Sequence, residues 1–246
     1  MKGKAIRRRS GTFKITLISN VLLSFIILLV GMFSTFSGEE FKETDGREAD
    51  IYRNGKITSQ GVSLMFNVYW GTEEVYSILE ILEEFNAKAT FFIGGCWADD
   101  NAKCVRDIYI LGHEIGNHGY FHKDHSKLNL LENKREITSC NQFIELLIGV
   151  SPNLFAPPSG AYNDETLSAC RELSMKTVLW SRDTIDWRDK DKKLIYKRAT
   201  QNITGGEFVL MHPMKETVEA LADILTYYKE NNLSAITVSE NLQYKG

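Results

Sequence analysis

Residues 61–238 alternate short apolar runs with amphipathic stretches, and no other feature restricts the fold as tightly. Strands are predicted at 62–67, 88–93, 114–116, 154–155, 176–180, 207–211 and 235–238. Helices are predicted at 73–85, 101–111, 131–148, 164–173 (with Asp164 as N-cap), 192–201 and 217–229. The first helix turns Val75, Ile78, Leu79 and Leu82 to one side. A repeated strand–helix order needs crossover connections, hence parallel strands with helices outside them. About seven strands in this length predict an α/β fold, a distorted (β/α) barrel. No internal repeat is visible.

In such a fold the chemistry gathers at the C-terminal ends of the strands. Asn67, Trp97, His118, His122, Ser159, Asp183, Asp186 and His212 each follow a predicted strand, and all four tryptophans (Trp70, Trp97, Trp180, Trp187) lie at strand ends or just beyond. A single histidine or tryptophan in such a place usually packs. Convergence of this many on one rim points to a site.

The N-terminal segment has a different character. Residues 1–14 carry six basic side chains and no acid, so subtracting them from the net charge of −3 leaves −9 on the rest. A body that acidic argues against nucleic acid as a partner. Residues 15–33 are nineteen without a charge, long enough to cross a hydrocarbon core of about 30 Å. The expected organisation is a basic cytoplasmic tail (1–14), a signal anchor or transmembrane helix (15–33), a polar linker (34–58) and a domain at 59–246. The basic flank predicts a single-pass membrane protein with its body outside the cytoplasm. Secretion after signal cleavage is the alternative, although Thr35-Phe36-Ser37 is a weak small-x-small site.

Export permits disulfides among the four cysteines. Cys96 and Cys104 are close enough in sequence to pair, while Cys140 and Cys170 read equally well as small buried hydrophobes. No CxxC occurs, which argues against a cysteine-based zinc site.

Four of the five histidines fall between His113 and His125. His118 and His122, four apart, have the spacing of two imidazoles that converge on one metal. His113 reads as part of the strand leading in. His125 shares a face with His118 if the stretch is helical, and is a candidate third ligand. Its plainer reading is a surface histidine in a polar loop.

Five stretches in this order resemble the polysaccharide deacetylase family, the NodB-homology enzymes of carbohydrate esterase family 4. His118-Gly-Tyr-Phe-His122 resembles its His-x-x-x-His motif, Asp186-Trp187 its Asp-Trp pair, and Leu210-Met211-His212 its Leu-x-His. The resemblance implies a distorted (β/α) barrel, metal-dependent removal of N- or O-acetyl groups from a glycan, and a cell-wall glycan partner. It implies His118 and His122 as ligands of a divalent metal such as zinc. It implies His212 as the acid, oriented by Asp186, and Pro158, Ser159 and Gly160 as substrate contacts. Trp70, Trp97 and Trp187 around the rim suit stacking on sugar rings and equally suit capping the barrel mouth.

Two motifs depart from the family. Its Thr-Phe-Asp-Asp-Gly reads Met65-Phe66-Asn67-Val68-Tyr69 here, so Asn67 stands at the base and Val68 at the metal carboxylate. Its Arg-Pro-Pro-Tyr-Gly reads Ala156-Pro157-Pro158-Ser159-Gly160, so the arginine that holds the base is lost too. The joint loss is coherent, because an arginine left in a dry pocket without its carboxylate costs several kcal/mol. Such motifs resemble a sporulation-associated subgroup.

Asn67 cannot act as a base, two imidazoles hold a metal weakly, and any base must come from elsewhere: Asp183, a metal hydroxide acting alone, or the substrate. The expectation is a metal-dependent de-N-acetylase of peptidoglycan-like glycan with a non-standard site. The alternative is an inactive glycan-binding or envelope or spore assembly protein on the same fold.

Overall fold

The computed structural model describes residues 51–56 and 58–243. The basic tail, the apolar stretch at 15–33 and most of the linker lie outside them. Among the described residues no helix is long and apolar enough to cross a membrane.

Nine strands are described: β1 (Ile51–Tyr52), β2 (Gly61–Val68), β3 (Thr90–Ile93), β4 (Glu114–Asn117), β5 (Leu154–Phe155), β6 (Lys176–Val178), β7 (Arg182–Asp183), β8 (Phe208–Met211) and β9 (Ser234–Ala235). They pair in parallel in the order β1-β6-β5-β4-β3-β2-β8-β7, with β9 on the start of β2. Among the described residues β1 and β7 are edges that do not join each other, so the sheet curls into a half-barrel rather than closing. β1 falls inside the stretch read from sequence as linker, and it pairs with β6 through Ile51 and Tyr52.

Helices α1 (Thr72–Glu84), α2 (Gly95–Asp100), α3 (Ala102–Ile110), α4 (Leu130–Ile148), α5 (Asp164–Glu172), α6 (Asp186–Asp189), α7 (Lys192–Thr200), α8 (Lys215–Glu230) and α9 (Val238–Gln243) complete the order. α5 is capped by Asn163, whose side chain accepts from the Thr166 N–H at 2.8 Å, rather than by Asp164. The strand predicted at 235–238 stops at Ala235 for a local reason. Thr237 and Glu240 form a reciprocal capping box that turns the chain into α9: the Thr237 N–H donates to Glu240 Oε2 at 2.8 Å, and the Glu240 N–H to Thr237 Oγ1 at 3.2 Å.

Period-two alternation sorts β2 between two cores. Val62, Leu64, Phe66 and Val68 face outward, into a cluster with Val75, Ile78, Leu79 and Leu82 of α1. Ser63, Met65 and Asn67 face the concave side. Met65 packs there with Phe92, Leu154, Ala156, Val178, Phe208 and Val238 of α9. The interior is therefore layered. At the bottom α9 plugs it, with Asn241 Nδ2 donating to the Gly61 carbonyl and Ser63 Oγ, both at 3.1 Å. The middle is apolar, and Asn67 opens the top.

Candidate active site

The top layer is a cleft of about 320 Å³ at the C-terminal ends of the strands. Asn67, Tyr69, Trp70, His118, His122, Ser159, Asp183, Trp187 and His212 line it, together with Trp180 and Leu210. Asn67 is only 3% exposed, and its Oδ1 has no hydrogen-bond partner. Tyr69 shares the inward face of Asn67 by the same period of two. Its ring fits against Gly94, where a Cβ would come within 2.3 Å of Tyr69 Cδ2, and lies 4.7 Å from the His122 ring.

Val68 is not in the cleft. Its side chain is fully buried in the outer core, as strand alternation dictates for the residue after Asn67. Trp97 does not line the rim either. It lies on α2, buried in the same outer core. Only Ser159 of the Pro158-Ser159-Gly160 turn lines the cleft. Pro158 is buried, and Gly160 acts through its neighbour, since a Cβ there would lie 2.8 Å from Trp180 Cη2.

The stretch from His118 to His125 is a turn, not a helix, with Gly119 at φ 75° and His122 at φ 53°. α4 holds it in place. The buried Glu136 accepts from the Phe121 N–H at 2.8 Å through Oε2 and pairs with Lys123 at 3.0 Å through Oε1. His118 Nδ1 donates to the Ala156 carbonyl at 2.7 Å, which leaves Nε2 as the bare nitrogen. Burial, reinforced by His122, pushes the His118 pKa down to about 3. Burial also lowers the pKa of His122. The two rings lie 5.1 Å apart, centroid to centroid.

His125 is neither a surface histidine nor on the His118 face. It is fully buried behind Gly119, bonded through Nδ1 to Asn133 Oδ1 at 2.6 Å and packed 4.9 Å from the Phe155 ring. It does not line the cleft, because the non-helical turn carries it under the loop.

The opposite wall is built around Asp186, which is 0% exposed. Oδ2 accepts from the His212 N–H at 2.6 Å and from Thr217 Oγ1 at 2.7 Å. Oδ1 accepts from the Trp187 N–H at 2.8 Å and from His212 Nδ1 at 2.7 Å. The preceding Ile185 has φ 53°, a left-handed conformation that a β-branched residue adopts only under strain. Its N–H is held by Asp183 Oδ1 at 2.8 Å. Trp70 lies parallel to the His212 ring, 5.7 Å away, and is 41% exposed.

The donor set does not fit a tightly held divalent metal. The histidine side offers two imidazoles and one neutral amide oxygen, Asp183 and His212 belong to the opposite wall, and neither Val68 nor His125 supplies the carboxylate position. Among the described residues no group of three or more His, Cys, Asp or Glu is placed to share an ion. Cys96 and Cys104 are not joined in a disulfide.

Trp180 lines the cleft from its strand end as expected, whereas Tyr69, Leu210 and Thr217 are parts of this site that the sequence reading did not assign. Alternation from Asn67 could have found Tyr69. Nothing local marks Thr217.

The Polysaccharide deacetylase family pattern matches residues 54–178, and this chain belongs to that family. Over 190 residues it is 38% identical to the uncharacterized protein YlxY of Bacillus subtilis, covering 77% of this chain and 59% of that relative. It is 35% identical to a peptidoglycan-N-acetylglucosamine deacetylase of Bacillus cereus, covering 71% of this chain and 85% of that enzyme. Among solved structures, a CE4 family pseudoenzyme from Bacillus anthracis superposes with a TM-score of 0.76 at 34% identity, over 78% of this chain and 69% of that one. A mutant of that pseudoenzyme has restored enzymatic activity.

Proposed function

We propose that this chain holds a glycan of the cell envelope in the cleft of the deacetylase fold and does not remove acetyl groups at the rates of its catalytic relatives. Asn67 carries the reading. It occupies the place from which a base must act, buried and facing the cleft, and an amide takes no proton at neutral pH. Loss of a general base costs roughly 10²–10⁴ in rate, and here the metal donor set is short as well. Likeness to a pseudoenzyme supports the same conclusion. The chain spans 59% of YlxY, so its partners, substrate and any spore-associated role are part of the proposal. The expected setting is outside the cytoplasm, tethered by residues 15–33.

One observation favours a second reading, a slow hydrolase. The Asp186–His212–Thr217 assembly is fully formed, and Asp183 places a carboxylate in the same cleft.

Acetate release from N-acetylglucosamine oligomers and peptidoglycan, with and without Zn²⁺, Co²⁺ or Mn²⁺, separates the two when measured beside calorimetric binding. Binding without acetate is expected. Acetate release that disappears in His212→Ala would overturn the proposal and establish the hydrolase.

A further inference from the structure

The cleft wall is rich in acceptors and carries a negative charge. Asn67 Oδ1 is buried and unpartnered. His118 spends its Nδ1 proton on the Ala156 carbonyl, so its Nε2 atom is an acceptor, and His212 turns Nδ1 to Asp186 and leaves Nε2 to the cleft. Asp183 is the lining residue that carries formal charge, and no lysine or arginine lines the cleft. Arg188, outside the lining, is engaged by Asp189 at 2.7 and 3.2 Å. Lys123, on the histidine turn, is paired with Glu136. The donors of the wall are neutral hydroxyl, amide and indole N–H groups.

An acetamido carbonyl is an acceptor and needs donors or a metal at its oxygen. A protonated amine is the opposite: three donors and one positive charge. We infer that the cleft reads the de-N-acetylated sugar, a glucosamine unit whose C2 ammonium faces Asn67, His118, His212 and Asp183. Trp70 and Trp187, 41% and 51% exposed, offer flat faces to the pyranose rings on either side. The ligand is thus the product of the reaction that deacetylases perform, and its chemical source is a de-N-acetylation of N-acetylglucosamine in the same polymer. The inference rests on the glycan-binding reading above.

The test is calorimetric titration of the full chain with the tetramer of glucosamine, the tetramer of N-acetylglucosamine and tetralysine as a cation control. Charge-assisted hydrogen bonds predict at least about tenfold tighter binding of the glucosamine tetramer. Asp183→Asn, which keeps an acceptor for the Ile185 N–H, is expected to remove most of that preference. Asn67→Leu is expected to weaken glucosamine binding further. Equal or tighter binding of the acetylated tetramer overturns the inference and leaves the glycan-binding reading standing. Tetralysine competing as well as glucosamine also overturns it, by assigning the affinity to the acidic body. A preference that survives both substitutions does the same. Binding of no oligomer overturns the glycan-binding reading itself.

Discussion

The two walls of the cleft have gone different ways. On the His212 side every oxygen of a buried carboxylate is used, two backbone N–H groups converge on it, and a strained Ile185 is kept to aim it. On the Asn67 side the charges are gone: an amide faces the cleft, Ala156 contributes only its backbone, and an acceptor is left without a partner. One wall is a satisfied network, where any deletion strands several donors. The other is a neutral surface, where a deletion strands little. The contrast is between a wall whose polar groups are all engaged and one whose polar groups are left open to the cleft.

The largest expected effect lies on the satisfied wall. Asp186→Ala leaves the His212 and Trp187 N–H groups, the His212 ring and the Thr217 hydroxyl unpaired, and should cost about 3–5 kcal/mol. Thermal melting should show this as a fall on the order of 10 °C. An unchanged melting temperature would erase the contrast.

Next comes acid sensitivity of the histidine wall. Burial lowers the pKa of His118 to about 3 and that of His113, which also feels Lys88, to about 4. Both stay neutral in the native state while the unfolded chain takes up protons below about 6.5. Their stability is therefore intact at neutral pH and lost as pH falls from about 6.5 towards 3–4, at up to about 1.4 kcal/mol per pH unit for each ring. Denaturant melts at pH 7, 5.5 and 4.5 read the slope, and His118→Gln should flatten it.

Asn67→Asp tests the neutral wall directly. A carboxylate buried there without an arginine should cost about 1–3 kcal/mol at neutral pH. Its folded-state pKa would lie above the unfolded value, so the deficit should appear as pH rises and vanish in acid. A variant as stable as the parent at pH 7 would show that the wall tolerates charge.

The smallest expected effect is that of metal. At 100 µM Zn²⁺ the stabilisation should stay below about 1 kcal/mol, measured as a shift in melting temperature. A larger shift, absent in His118→Ala/His122→Ala, would restore the metal site.

The parallel strand order was legible because each buried strand is a short apolar run bounded by turns, and the rim was legible because functional residues follow those runs. What escaped depended on distant partners or on φ values. His125 looks like a loop residue until Asn133 and Phe155 close over it. Trp97 follows a strand but turns outward on α2, a helix too short to show periodicity. Val68 matched the family's metal carboxylate by position, yet strand alternation alone sends its side chain to the outer core. The Thr237–Glu240 box was readable in the sequence and was overridden by the apolar run before it. Thr217 could not be read at all, since only the fold brings it to Asp186.

The sheet that leaves its barrel unclosed ends on β1 and β7, two residues each. An open seam is normally an invitation to another chain, because each unpaired N–H and C=O can template a further strand. Here the free rows are too short to seed one, and the Asn54–Glu207 bridge closes over the chain just beyond β1. Among the described residues the unclosed seam therefore offers copies of the chain little edge on which to pair.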